Sequence, residues 1–152
     1  MVEAFVDKPD VTQWYEEAFA TYEHNGVDTM RWHWSWWAFF GGFLFLLYRK
    51  QYVAALVLFL LSTVASAVPF GGLIVMILSG GYATYFVYKG YKEKKAQIEA
   101  AIDDEAERIE TMRRVGGYHQ WVVWIYVVMA LLFWFGVAVM LFPLLLDPDF
   151  YM

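Results

Sequence analysis

The chain has 152 residues, a formal net charge of -5, 61% hydrophobic and 21% aromatic residues, and no cysteine. That length suits one domain, while the apolar share exceeds what a soluble domain of this size carries. The lack of cysteine excludes disulfides, thiolate metal sites and cysteine nucleophiles, and the net charge is uninformative because the charges are segregated along the chain.

The first thirty residues are polar and acidic and have no basic start leading into an apolar run. No signal peptide is therefore expected, and internal helices would direct insertion. Within this soluble segment, 1–30, Val11, Trp14, Tyr15, Ala18, Phe19 and Tyr22 recur at helical spacing while Glu16, Glu17 and Glu23 face away. The pattern predicts an amphipathic helix over 11–24, with Asp10 as N-cap, Gln13 in the capping-box position and Asn25-Gly26 as its stop. Its outer face is anionic, so attraction to anionic lipid does not hold it. The aromatic face is expected to dock on the rest of the protein or sink into the membrane interface, with a partner-binding helix as the alternative.

Residues 31–152 read as a membrane domain, and it opens with RWHWSWWAFFGGFLFLLYRKQY, residues 31–52. Trp32, Trp34, Trp36 and Trp37 suit one interface of a membrane, and Tyr48, Arg49 and Lys50 suit the other. The segment 34–48 lacks a polar face, so lying flat on the surface is disfavoured. As a helix it reaches only about 22 Å, against roughly 30 Å of hydrocarbon. Two readings stay open: a short, doubly anchored span with the N-terminus outside, or a half-inserted segment bent at Gly41-Gly42 with the N-terminus inside.

Residues 51–88 carry no Asp, Glu, Lys, Arg or His, and one straight helix over Val53–Tyr88 would be far longer than a bilayer core. Pro69-Phe70-Gly71-Gly72 interrupts it, which predicts a helical hairpin, 52–68 and 71–88. Ser62 with Ser66, and Gly80 with Thr84, stand four apart in the small-residue pattern of close helix packing. Tyr82, Tyr85, Phe86, Tyr88 and Tyr91 form an aromatic belt where the hairpin meets a basic run. In the alternative reading, Tyr88, Lys89, Tyr91, Lys92, Lys94 and Lys95 contact an anionic lipid headgroup.

A charged helix is expected over 89–115, with seven acidic and seven basic residues and a narrow apolar stripe of Ile98, Ile102, Ala106, Ile109 and Met112. Gly116-Gly117 ends it, and a final span follows over 119–145, with Pro143 and Asp147-Pro148-Asp149 marking its far end. Nine of the eleven Lys and Arg residues lie at 49–50 or between 89 and 114. Loops 49–51 and 89–115 are accordingly expected in the cytoplasm, with the C-terminus outside.

The expected class is an all-α helical integral membrane protein, with three to four membrane helices plus the amphipathic and the charged helix. The spans offer no ionisable group, and His24, His33 and His119 share no ligand-like spacing. No catalytic residue, cofactor, metal or nucleic-acid partner is expected. The favoured function is that of a non-enzymatic accessory, scaffold or assembly subunit acting through protein contacts, with a further membrane protein, a second copy of itself and membrane lipid as partners. A channel or transporter subunit formed on oligomerisation, and an anionic-lipid-binding protein, are the alternatives.

The stretch WSWWAFFGGFLFLLYRKQY, residues 34–52, resembles the signature of a bacterial family of uncharacterised small membrane proteins, domain of unknown function 2628. Trp37, Ala38, Phe39, Phe40, Gly41, Leu47, Tyr48, Arg49, Lys50 and Tyr52 carry the match. GGYATYFVYKGYKEKKAQI, residues 80–98, is similar to the family's second block, and Gly116-Gly117 resembles its glycine pair. Gly42 departs from the usual proline, and Gly90-Tyr91 from a more basic tract. The resemblance covers roughly residues 30–135. It implies a bacterial inner-membrane location and brings no established activity, cofactor or catalytic residue.

Overall fold

A computed structural model describes residues 1–24 and 26–146, including their side chains except those of His24 and 143–146. The described residues are mostly helical with almost no strand, in the all-α class expected. They fall into two units, one over Met1–His119 and one that begins at Gln120. The expected stop residue Asn25 and the terminal Asp147 and Asp149 lie outside the described residues.

A short helix that the periodicity did not reveal, α1 (Val2–Val6), opens the first unit, with Ala4, Phe5 and Val6 buried. The amphipathic helix α2 runs over Pro9–Tyr22. It starts earlier than expected because Pro9 supplies a preset φ at the first helical position, where its missing N–H costs nothing. Lys8, not Asp10, is the N-cap, and it has no side-chain cap bond. Tyr15, Ala18, Phe19 and Tyr22 form the buried stripe, while Glu16, Glu17 and Glu23 are exposed. A two-residue antiparallel pair, β1 (Glu23–His24) and β2 (Val27–Asp28), then turns the chain back.

Residues 34–48 are not one helix. The chain is extended up to Ser35, forms α3 (Trp36–Gly41), breaks at Gly42 and resumes as α4 (Phe43–Tyr48). Ser35 caps α3 through its hydroxyl, which accepts from the Ala38 amide at 3.3 Å. Gly42 adopts φ 50, ψ -125, a conformation that side chains exclude, and so ends one helix and starts the next.

The hairpin is present as α5 (Tyr52–Ala65) and α6 (Gly71–Ala101). α6 passes the expected boundary at Tyr88 without interruption, so the start of the basic segment belongs to it. The break falls instead at Ile102–Asp104, where Asp104 caps α7 (Glu105–Val115) by accepting from the Glu107 amide at 2.9 Å. Arg108 Nε closes the other side by donating to the Ile102 carbonyl at 2.6 Å. Acidic residues in the first turn of α7 and Arg113-Arg114 in its last complement the helix dipole. In the second unit, α8 (Gln120–Leu146) continues past Pro143. Two helical stretches are long and apolar enough to cross a membrane, one in α6 and one whose apolar window falls in α8.

The core of the first unit is aromatic. Phe19 stacks on Tyr91 at 5.3 Å, Tyr22 meets Tyr88 at 5.4 Å, and Phe5 approaches Tyr91 at 5.3 Å. Such pairs contribute about 0.5–1.5 kcal/mol each beyond their buried area, and they fasten α1 and α2 along residues 88–91 of α6.

At the hairpin turn, a Cβ on Gly71 would fall 2.1 Å from the Ala65 carbonyl oxygen, whereas one on Gly72 would meet nothing within 4 Å. Gly71→Ala should therefore destabilise the fold by about 1–3 kcal/mol. Gly72→Ala should be neutral or stabilise it by up to about 1 kcal/mol through the unfolded chain. Thermal unfolding of both variants in mild detergent checks this pair.

Candidate functional site

Arg49, expected as an interface anchor, is buried within the first unit. Its side chain is only 4% exposed and lies beneath α1 and α2. Three features put it there. The C-terminus of α4 delivers it inward, its Nε donates to the Tyr15 hydroxyl at 2.9 Å, and its Nη1 donates to the Val6 carbonyl at 3.0 Å. The guanidinium also lies over the Tyr15 ring at 4.5 Å and the Tyr48 ring at 5.4 Å. Among the described residues no carboxylate pairs with it. Hydrogen bonds and ring faces therefore hold this buried cation, and burial pushes the Tyr15 phenol pKa up against the opposing pull of the Arg49 charge.

Around Arg49 the chain crosses itself repeatedly. Lys50, in a left-handed conformation with φ 58, donates its ammonium to the Gly116 carbonyl. The Gly117 amide donates to the Phe5 carbonyl at 2.8 Å, and the His119 amide to the Tyr48 carbonyl at 2.9 Å. Tyr52 and His119 share a side-chain hydrogen bond. Lys8 lies over the Tyr118 ring at 4.7 Å. Arg49 and Lys50 thus tie α1, α2 and the end of α7 to one junction. Segment 34–48 is bent at Gly42, and the contacts of Arg49 and Lys50 hold its far end beside α1, α2 and the end of α7.

The tryptophans divide as well. Trp32 and Trp34 lie against Gly81 and Gly80 of α6, where an added Cβ would fall 2.4 Å from the Trp32 ring and 2.9 Å from the Trp34 ring. The His33 and Ser35 amides donate to the Gly81 and Gly80 carbonyls at 3.0 and 2.8 Å. An extended strand therefore runs along a helix, and the two glycines give it the close approach it needs. Trp36 and Trp37 point outward, at 62% and 80% exposure, beside exposed Phe40.

Of the expected packing residues, Gly80 and Thr84 are buried, and Gly80 receives Trp34 of the extended strand and Phe39 of α3. Ser62 and Ser66 turn their hydroxyls back onto the Leu58 and Thr63 carbonyls of their own helix or its end. The tyrosine and lysine group is dispersed around α6. The Tyr88 hydroxyl and Lys92 Nζ both donate to Asp28 at 2.7 Å, and Tyr91 is in the aromatic core. Lys94 donates to the Val115 carbonyl at 2.9 Å, and Lys95 pairs with Glu99 at 3.8 Å. Lys89 is exposed beside the Tyr85 ring. Burial, reinforced by the Lys50 charge, holds the Lys94 ammonium below its usual range.

Sequence reasoning missed Asp28 and His33. Asp28 carried no periodic signal, yet it anchors the β1–β2 turn to α6. His33 sits beside Trp14 at 5.0 Å between ring centroids, its Nε2 is buried without a hydrogen bond, and burial holds its pKa below the usual value. A surface cavity of about 340 Å³ is lined by Glu3, Asp7, Lys8, Pro9 and Arg113. Its mixed charges select no ion of one sign. Among the described residues no three of His, Asp and Glu gather as a metal cluster would need.

A family model described as Protein of unknown function (DUF2628) matches residues 4–92. The match begins and ends earlier than the resemblance over 30–135: it takes in α1 and α2 and stops before α7. No curated protein and no solved structure matches the chain.

Two consequences follow from these geometries. Arg49→Met leaves Tyr15 and Val6 without their donor, and Arg49→Lys keeps the charge but loses the planar fork. Each should cost about 1.5–3 kcal/mol, Met no less than Lys, and free residues 1–30 for early proteolytic cleavage during graded detergent unfolding. The Lys92 ammonium and then the Tyr88 hydroxyl hold the Asp28 carboxyl below its ordinary value. That stabilisation is present above the usual carboxylate range and is lost as pH falls through the folded value. It is worth at most about 1 kcal/mol at this half-exposed site. Amide exchange at Thr29, whose N–H donates to the Tyr22 carbonyl, should quicken in acid beyond its intrinsic rate, and Asp28→Asn should remove that acid step.

Proposed function

The chain belongs to the family described as Protein of unknown function (DUF2628), and on that premise we propose that it is a small membrane-embedded accessory or scaffold subunit that acts through protein contacts. One observation carries the reading. A stitched polar body, α1, α2 and α7 around Arg49, is built onto helices whose outer faces are apolar. On α5 these are Val53, Leu56, Val57, Leu60, Leu61 and Val64, all exposed. A soluble surface rarely presents so continuous an apolar face, whereas hydrocarbon accommodates it.

In this reading α8 is a full span, because its 27 residues reach about 40 Å, enough for roughly 30 Å of hydrocarbon with tilt. The basic residues at 49–50 and 89–114 favour the cytoplasmic side of a bacterial inner membrane for the polar body. The N-terminal helices share that side, since α2 packs on residues 88–91 and α1 on α7. The exposed outer face of α2, with Glu16 and Glu17, is then the surface offered to another protein.

Alkaline carbonate washing should leave the protein in the membrane pellet. Cross-linking in native membranes, followed by purification in mild detergent, should yield a stoichiometric partner or a defined homo-oligomer. Release by carbonate overturns the membrane part of the proposal, and a lone monomer under every condition overturns the contact part.

A further inference from the structure

We propose that the α5–α6 hairpin enters one leaflet only and turns back near the bilayer midplane, so that both the polar body and the hairpin approach the membrane from one side. The occupant of the exposed apolar face is the acyl layer of that single leaflet. This rests on the membrane reading above.

Three levels along α6 define the depth. At the turn, Val68, Phe70, Leu73 and Ile74 are exposed and apolar, with Phe70 at 80%. Nine residues along α6, at Gly80 and Gly81, Trp32 and Trp34 lie across the helix, and Tyr82 meets Trp32 edge-on at 5.2 Å. Further along, at Tyr88 and Lys92, the carboxylate of Asp28 and the acidic outer face of α2 take over. The rise from Gly71 to the tryptophan level is about 14 Å at ~1.5 Å per residue, close to half of a hydrocarbon core of roughly 30 Å.

Indole rings settle at the boundary between headgroups and acyl chains, so the tryptophan level marks where lipid ends. Carboxylates such as Asp28, Glu16 and Glu17 cannot follow the helix into hydrocarbon without large cost, so no more of α6 can sink. The other arm agrees. α5 has 14 residues, about 20 Å from end to end, and its first residue adjoins Gln51, Lys50 and the buried Arg49. α5 is too short to carry the turn to a far interface, and α6, though long enough in itself, is held back at the tryptophan level. The turn itself has no charge and no Lys, Arg or Trp to anchor it in a second headgroup layer. Trp36, Trp37 and Phe40, exposed on α3, continue the same rim.

The chain has no cysteine, so single cysteines report position directly. Phe70→Cys, Glu17→Cys and Gln97→Cys, made in the full chain, are exposed to a charged, membrane-impermeant maleimide in sealed vesicles of each orientation. Glu17→Cys and Gln97→Cys should react from one and the same side. Phe70→Cys should react from neither side and become reactive once detergent is added. Reaction of Phe70→Cys from the face opposite Glu17→Cys means that the hairpin crosses, and reaction from the same face means that it does not insert; either overturns the inference. Release of the wild-type protein by carbonate is a separate failure, that of the membrane reading itself.

Discussion

One buried cation joins the N-terminal helices of the first unit to the loop after α4. The Arg49 guanidinium has left water without gaining a carboxylate, and the loss of hydration is met by a phenol, a backbone carbonyl and two ring faces. Such an arrangement tolerates little displacement, because no single strong partner would hold the charge if α1 or α2 moved away. The position of α2 therefore fixes the position of the loop after α4, and the loop in turn sets where α5 begins. Lys50 extends the constraint to the end of α7 through the Gly116 carbonyl.

A second constraint is steric. Gly80 and Gly81 let an extended strand with two tryptophans lie flat on a helix, and the His33 and Ser35 amides use α6 carbonyls as acceptors. The strand thereby satisfies its donors without a sheet. It also lays tryptophan rings on an α6 surface of small residues, where the helix alone would offer little apolar area. Trp32 and Trp34 act as packing groups there, and Trp36 and Trp37 remain the outward pair.

Much of this was legible in the residues. The stripe Tyr15, Ala18, Phe19 and Tyr22 at helical spacing predicts both α2 and its buried face, and Pro69 to Gly72 predicts the hairpin turn. Local signals failed where tertiary contacts decide. Arg49-Lys50 after an apolar run has the same sequence appearance whether it snorkels to headgroups or turns inward, and only the far-off Tyr15 and Val6 distinguish the two. Hydropathy changes at Tyr88, but a helix continues through such a change as long as its hydrogen bonds do, and α6 ends only at Ala101, shortly before Asp104 caps α7. Asp28 had no periodicity to betray it, since its role exists only once Tyr88 and Lys92 stand on the neighbouring turns of α6.

The bond from the Gly117 amide to the Phe5 carbonyl has a consequence for how the chain is made. α1 precedes α6 and α7 in the chain, and its partner on the far side of the junction is synthesised only after them. Until α6 is made, Phe5, Phe19 and Tyr22 lack the Tyr88 and Tyr91 rings that pack on them, and their apolar faces are open to chaperones or to wrong neighbours. The bond that closes α1 onto the junction thus has to wait for residues made after the hairpin.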